Sequence, residues 1–211
     1  HHRLGPFSEG LAAASTDVGL QYLDRQGKEA LTVRYRSVTH AMGFPELGRF
    51  SQGRAVIPDR GDYRLIDKNG ERIGKQRFTH LRPFSEGRAI YGKDGKDHSF
   101  KRGFVDLQGK PVIPATFESV GPFSEGLAAV SPKDRWGYID PQGKIVIPMR
   151  FWKALPFSQG LAGVRPKPGA GSFAYINKKG KIVLSRATWS AGFTRTPKLK
   201  DGSTRRGRNH R

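Results

Sequence analysis

Residues 122–148 read Pro-Phe-Ser-Glu-Gly-Leu-Ala-Ala-Val-Ser-Pro-Lys-Asp-Arg-Trp-Gly-Tyr-Ile-Asp-Pro-Gln-Gly-Lys-Ile-Val-Ile-Pro, and this stretch occurs along the chain in five versions. Its opening motif is found, with small changes, at residues 6–10, 49–53, 83–87, 122–126 and 156–160. Each version then reaches an acid or amide followed three residues later by glycine; these positions are Asp24, Asp67, Asp106, Asp140 and Asn177, with Gly27, Gly70, Gly109, Gly143 and Gly180. A unit of this size recurring in phase predicts a repeat protein whose neighbouring units share a core.

Each unit is expected to form short strands and no helix. In the fourth unit the expected strands are residues 126–130, 136–139 and 144–147, because apolar residues alternate or run together there without helical periodicity. Asp-x-x-Gly is typical of a hairpin turn, in which the carboxylate binds backbone amides and glycine takes the positive φ. Pro114 and Pro148 are expected to end the third strand, since proline cannot donate a ladder hydrogen bond. A fourth short strand is expected to lead into Pro-Phe-Ser.

The expected fold is therefore all-β, with five tandem units that are antiparallel meanders of three or four strands. The array covers residues 1–187, in units of about 6–48, 49–82, 83–121, 122–155 and 156–187, and residues 188–211 are expected to be a disordered basic tail. The units could pack as a closed, propeller-like ring or as an open, solenoid-like array. We favour the ring, because the small Gly-x-Ala strand suits a crowded inner position.

The units differ mainly in three inserted loops, at about 36–48, 92–100 and 165–172. Variable loops on a regular frame are where such proteins usually place recognition. The candidate binding residues in and beside these loops are Arg36, His40, Arg49, Lys93, Lys96, His98, Arg165 and Lys167.

The charge of the chain predicts some salt-sensitive binding of polyanions, although we favour a solvated end that keeps the protein soluble as the interpretation of its basic tail. The 211 residues include 38 Lys+Arg and 18 Asp+Glu, which gives a net charge of +20. The tail is rich in arginine and has Asp201 as its one acid, so Arg205, Arg206 and Arg208 are candidate contacts to a polyanion.

The residues offer little for catalysis. The chain has no cysteine, which excludes disulfides, thiolate metal sites and cysteine nucleophiles. Its six histidines are scattered, and nucleophile-elbow, zinc-protease and phosphate-loop motifs are missing, so we expect no cofactor and no metal. The Asp or Asn position recurs in every unit, whereas a catalytic acid is needed once, so we interpret this position as architectural and expect no enzyme. No apolar run is long enough to suggest a membrane span. His1 and His2 leave open a tag remnant and a missing signal peptide.

The fourth unit, with its Trp136-Gly137 pair, closely resembles the WG-repeat family of bacterial proteins. The resemblance covers roughly residues 5–187, although the other units read Leu20-Gln21, Tyr63-Arg64, Arg102-Gly103 and Phe173-Ala174 at this pair. It implies a bacterial, repeat-built β module without established enzymatic activity, often in envelope or secreted settings. It supplies no catalytic residues.

Our leading hypothesis from the sequence is a non-enzymatic scaffold that binds a protein or an envelope polymer through its inserted loops and rim. One alternative is binding of nucleic acid or another polyanion through the basic tail and positive surface. Another is an accessory domain of a larger protein.

Overall fold

The computed structural model describes residues 4–34, 48–94, 99–168 and 173–185, and within them all regular structure is β. The first sheet contains β1 (Ala12–Thr16), β2 (Gly19–Leu23) and β3 (Glu29–Arg34). The second contains β4 (Phe50–Ser51), β5 (Arg54–Asp59), β6 (Asp62–Ile66) and β7 (Arg72–Phe78). The third contains β8 (His80–Ser85), β9 (Arg88–Asp94), β10 (Phe100–Val105) and β11 (Pro111–Phe117). The fourth contains β12 (Ser119–Ser124), β13 (Leu127–Ser131), β14 (Trp136–Ile139) and β15 (Ile145–Phe151). The fifth contains β16 (Lys153–Ala154), β17 (Leu161–Arg165), β18 (Ala174–Asn177) and β19 (Ile182–Ser185).

The expected all-β fold with antiparallel units of three or four strands is confirmed, and so is the extra strand at Pro-Phe-Ser. This strand opens each of the last four sheets and pairs with the Gly-x-Ala strand that follows it. In the first sheet its place is marked by the bridges Leu4–Ala14 and Ser8–Leu11. The opening strands β4, β8 and β12 of neighbouring sheets contact one another, so they line the inner side of the array. The Gly-x-Ala strand, expected to be innermost, is second.

The core of the array lies between sheets. A ring or leucine on the strand that precedes the Asp-x-x-Gly turn, such as Tyr138 on β14, packs against the Phe of the next Pro-Phe-Ser segment, such as Phe157. The ring centroids are 5.0 Å apart for Tyr22 and Phe50, 4.8 Å for Phe104 and Phe123, and 4.9 Å for Tyr138 and Phe157. All six rings are fully buried. Each unit therefore completes its core with its neighbour, as expected for repeats of this size.

The Ser-Glu-Gly turn also joins one unit to the next. Glu125 and Gly126 both have positive φ, 52° and 81°, which gives the two-residue hairpin turn that suits twisted strands. This backbone is unfavourable for a glutamate, but the Glu125 carboxylate accepts a 2.9 Å hydrogen bond from the Gly160 amide of the next unit. It also forms an ion pair with Lys178 at 3.3 Å. The same inter-unit bond is made by Glu9, Gln52 and Glu86. The hydrogen bond from Gly160 holds the pKa of Glu125 below its usual value, although desolvation opposes this.

The expectation that Pro114 and Pro148 end the third strand of the repeat is wrong. In the fourth sheet, Trp136 pairs with Phe151 and Tyr138 with Ile147, so β15 has two extra residues between these pairs. Pro148 lies in this bulge, on an edge strand, where its missing amide proton breaks no ladder bond. The bulged backbone lies against Gly137, because a Cβ built there would be 2.4 Å from the Ile147 carbonyl oxygen. The glycine of this Trp-Gly pair is thus explained by the close approach of the Pro148 bulge, whereas the bulge of β7, which contains no proline, lies opposite Arg64.

Candidate binding rim

The strand order divides the connections between two edges of the array. Because neighbouring strands are antiparallel, the Ser-Glu-Gly and Asp-x-x-Gly turns lie at one edge, which we call the turn rim. The connections between the Gly-x-Ala strand and the next strand, and the links between sheets, lie at the opposite edge, the loop rim. The connections that carry all three insertions belong to the loop rim, although residues 36–47, 95–98 and 169–172 are outside the described residues.

The turn rim is built by hydrogen bonds that occupy its polar groups. Asp140 Oδ1 accepts the backbone amides of Gln142 and Lys144 at 3.0 and 2.8 Å, and Gly143 donates to the Asp140 carbonyl at 2.9 Å. Asp24, Asp67, Asp106 and Asn177 make the same pair of bonds in their units. The structure therefore places the whole column in hairpin turns.

The loop rim of the last three units has an arginine stacked on an aromatic ring in each unit. The guanidinium carbon lies 4.9 Å from the ring centroid for Arg102 over Phe100, 3.8 Å for Arg135 over Trp152, and 4.8 Å for Arg165 over Phe173. Trp152 is 37% exposed and Phe173 is 49% exposed. Stacking restricts an arginine while leaving N–H groups on the edge of its guanidinium to donate hydrogen bonds; Arg102 already donates one to the Glu118 carbonyl.

Basic residues predominate around these stacks. Among the described residues of these units, the cations at the loop rim are Lys93, Lys101, Arg102, Lys133, Arg135, Lys153, Arg165 and Lys167, and the acids are Asp94, Glu118 and Asp134. Lys101 is paired with Glu118 at 3.0 Å. His80, which opens the third sheet at the same rim, is half-buried, and this burial together with Arg82 and Arg102 lowers its pKa. A rim of this composition attracts anions.

The structure brings together only some of the candidate residues from the sequence. Lys93 is the exposed penultimate residue of β9, and Arg165 ends β17 near the exposed Lys167, so these three lie on the loop rim. Arg49 lies elsewhere, with Arg82 at a cavity of about 350 Å³ along the inner strands. The remaining candidates, Arg36, His40, Lys96, His98, Arg205, Arg206 and Arg208, are outside the described residues.

Sequence reasoning missed Phe100, Arg102, Arg135, Trp152 and Phe173 as parts of one surface. The available signal was weak: Arg135 directly precedes the Trp-Gly strand, and Trp152 directly follows the Phe that pairs with Trp136. Within the described ranges, no cluster of three or more His, Asp or Glu side chains could hold a metal ion. Nor does that part of the chain contain a helix that could span a membrane.

The repeat units match a known family model. The model for the "WG containing repeat" matches residues 63–96, 103–134 and 136–165. No curated protein sequence matches the chain.

The fold is similar to that of solved propeller-type proteins. Hsv2 from Kluyveromyces lactis is 12% identical, with a TM-score of 0.53, and the match covers 83% of this chain and 61% of that one. A form of that protein with loop 6CD replaced by a Gly-Ser linker is 10% identical, with a TM-score of 0.54, and the match covers 84% and 64%. The chain thus spans about three-fifths of the length of these proteins, and the likeness is one of fold.

Proposed function

This chain is a WG-repeat protein, and we propose that it is a non-enzymatic scaffold that binds an anionic polymer along its loop rim. The observation that carries the proposal is that the loop rim has an arginine–aromatic stack in each of the third, fourth and fifth units, although the stacks are built from different positions of the repeat. Cationic positions repeated once per unit suit a partner whose negative groups are also repeated along a chain.

The character of the two rims supports the loop rim as the binding edge. On the turn rim, Asp140 accepts backbone amides of its own turn, and Glu125 accepts the Gly160 amide and pairs with a lysine of the next unit. The carboxylates would therefore repel a polyanion, and these backbone donors are already used. On the loop rim, Arg135 and Arg165 rest on rings and Lys153 is exposed. Electrostatic binding of this kind is strongest at low ionic strength and weakens as salt rises.

A second candidate is single-stranded nucleic acid, which the exposed rings favour. Trp152 and Phe173 are each more than one-third exposed, so a base could stack on an open ring face or on the arginine plane. Such a partner would depend on the rings as well as on the charges.

We further propose that the five sheets form an open arc of a propeller-type array, in place of the closed five-membered ring that the sequence favoured. Phe7 is 51% exposed, whereas its counterparts in the other four units are buried. A ring closed through the first unit would bury Phe7 against the fifth sheet.

The binding proposal is tested by two triple variants that change the net charge equally. One replaces Arg135, Lys153 and Arg165 of the loop rim with glutamine, and the matched control replaces Lys28, Lys110 and Lys144 of the turn rim. Fluorescence anisotropy with labelled heparin, poly-glutamate and a single-stranded oligonucleotide at low salt measures their affinities. We expect the loop-rim variant to bind at least one probe about tenfold more weakly than the control variant does.

Equal losses in the two triple variants would mean that charge acts without location and would overturn the proposal. Replacing Trp152 with leucine separates the two candidates, because it should weaken binding of the oligonucleotide while leaving that of heparin unchanged if bases stack there. Tight binding by the wild type that does not respond to salt would remove both candidates.

A further inference from the structure

The fifth sheet exposes a face that is buried in every earlier sheet. Tyr175 on β18 is 48% exposed and Leu184 on β19 is 38% exposed. Their counterparts in the fourth sheet, Tyr138 and Ile147, pair in the same register and are fully buried. An apolar pair that is closed in one repeat and open in the next indicates a missing neighbour.

The fourth interface shows what such a neighbour supplies. Phe157 of the fifth unit packs its ring 4.9 Å from Tyr138, and its carbonyl accepts a 2.6 Å hydrogen bond from the Ser124 hydroxyl. Both contacts come from one short segment, Pro-Phe-Ser, which follows β16 and pairs with β17 through the Ser158–Leu161 bridge. An added inner strand would therefore provide the ring and the carbonyl acceptor together.

The fifth unit offers the matching groups in the same places. Tyr175 corresponds to Tyr138, and Ser158 corresponds to Ser124. Within the described residues, the Ser158 hydroxyl has no carbonyl partner of the kind that Ser8, Ser51, Ser85 and Ser124 have. The open face thus has the ring and the donor of an unfinished interface.

The chain itself continues with a sequence that fits this interface. Residues 190–194 read Ser-Ala-Gly-Phe-Thr, and the opening strand of the fourth unit, β12, reads Ser-Val-Gly-Pro-Phe-Ser. The two agree at the first serine, at the glycine, at the phenylalanine and at the final hydroxyl residue once the proline is omitted. We propose that residues 190–194 form a sixth inner strand, in which Phe193 packs on Tyr175 and its carbonyl accepts from Ser158.

Reach and tethering favour this segment over another molecule. Phe157 follows the end of β15 by six residues and Phe193 follows the end of β19 by eight, so the linker is long enough to repeat the geometry. A segment on the same chain has an effective concentration in the millimolar range, which a second molecule reaches only in concentrated solution. The competing occupant is the exposed Phe7 surface of a second copy.

The test compares the full chain with two truncations. Ending the chain at residue 188 removes the proposed strand and the basic tail, whereas ending it at residue 195 removes the tail alone. Hydroxyl-radical footprinting with mass spectrometry measures oxidation of Tyr175, and thermal unfolding measures the Tm. We expect Tyr175 to be oxidised several-fold faster in the chain ending at 188 than in the chain ending at 195, which should match the full chain.

A point variant makes the same test without truncation. Phe193→Ala should increase Tyr175 oxidation and lower the Tm by about 5 °C, the size expected for loss of a partly buried phenylalanine side chain. Phe193→Leu should keep most of the protection of Tyr175 and most of the wild-type Tm. Equal Tyr175 oxidation in both truncations and in Phe193→Ala would overturn the proposal. Protection that depends on protein concentration and persists in Phe193→Ala would also overturn it, because that result assigns the face to a second copy.

Discussion

Replacing Gly137 with alanine tests whether the Pro-containing bulge dictates the glycine of the Trp-Gly pair. The backbone at Gly137 does not have the positive φ that alanine avoids, so the effect is purely steric. A Cβ there would lie 2.4 Å from the Ile147 carbonyl oxygen and 2.8 and 2.9 Å from backbone atoms of Pro148 and Met149. All three are backbone atoms of β15, so relief requires the bulge to move away from β14.

The cost of such a shift is that of overpacking, about 1–3 kcal/mol, since the sheet must lose some hydrogen bonding or packing around Tyr138. For a domain of this size that corresponds to a Tm lower by about 3–10 °C. The matched control is Gly121→Ala on β12 of the same sheet, where the nearest atoms to a Cβ are 3.8 Å away. Thermal and urea unfolding of the two variants measure the difference.

We expect the control to be neutral or slightly stabilising, because alanine restricts the unfolded chain more than glycine does. The steric reasoning would be refuted if Gly137→Ala were as stable as Gly121→Ala. The fifth unit provides a natural comparison: Ala174 stands at the same position, and β19 shows no register shift beside it.

Substitutions at three further residues test the hydrogen bonds of one side chain each. Glu125→Gln keeps an acceptor for the next unit but cannot titrate. Because the folded pKa of Glu125 lies below its ordinary 4.5, the ionised carboxylate stabilises the fold above that pH, and this contribution is lost as the pH falls. The Tm of the wild type should therefore fall more on acidification than the Tm of the variant. Asp140→Ala removes the acceptor of two turn amides and should cost about 1 kcal/mol in urea unfolding, whereas Asp140→Asn should cost less, since an asparagine serves in the fifth unit. Tyr138→Phe leaves the Leu155 carbonyl without its 2.8 Å donor and should lower stability by about 1 kcal/mol at neutral pH. Because burial raises the folded pKa of Tyr138, the wild type should also lose stability above pH 10, and the variant should lose less. Unfolding measured as a function of pH gives both differences.

The local structure could be predicted from the sequence because short-range chemistry decides it. Asp140 and Gly143 are three residues apart, and their turn needs only the carboxylate, the nearby amides and a positive φ. The number of units could also be predicted, because the same motif recurs five times at similar spacing along the chain. The proline rule failed at Pro148 because the rule concerns a regular ladder, and a bulge removes the need for the missing donor.

The candidate rim could not be predicted in the same way. The stack of Arg135 on Trp152 joins residues from two connections, and their approach depends on the pairing of β14 with β15 and on the size of its bulge. The unusual positive φ of Glu125 likewise has its reason in the next unit, at the Gly160 amide. These features are set by packing between units, which periodicity alone does not describe.

The location of the binding surface is the central claim, and hydrogen-exchange mass spectrometry with and without heparin tests it most directly. We predict slower exchange of the loop-rim peptides that contain residues 131–135, 152–153 and 165–168 when heparin is bound. Peptides of the turn rim that contain residues 106–110 and 140–144 should exchange at the same rate in both conditions. Protection confined to the turn rim, or to residues 196–211, would contradict the account.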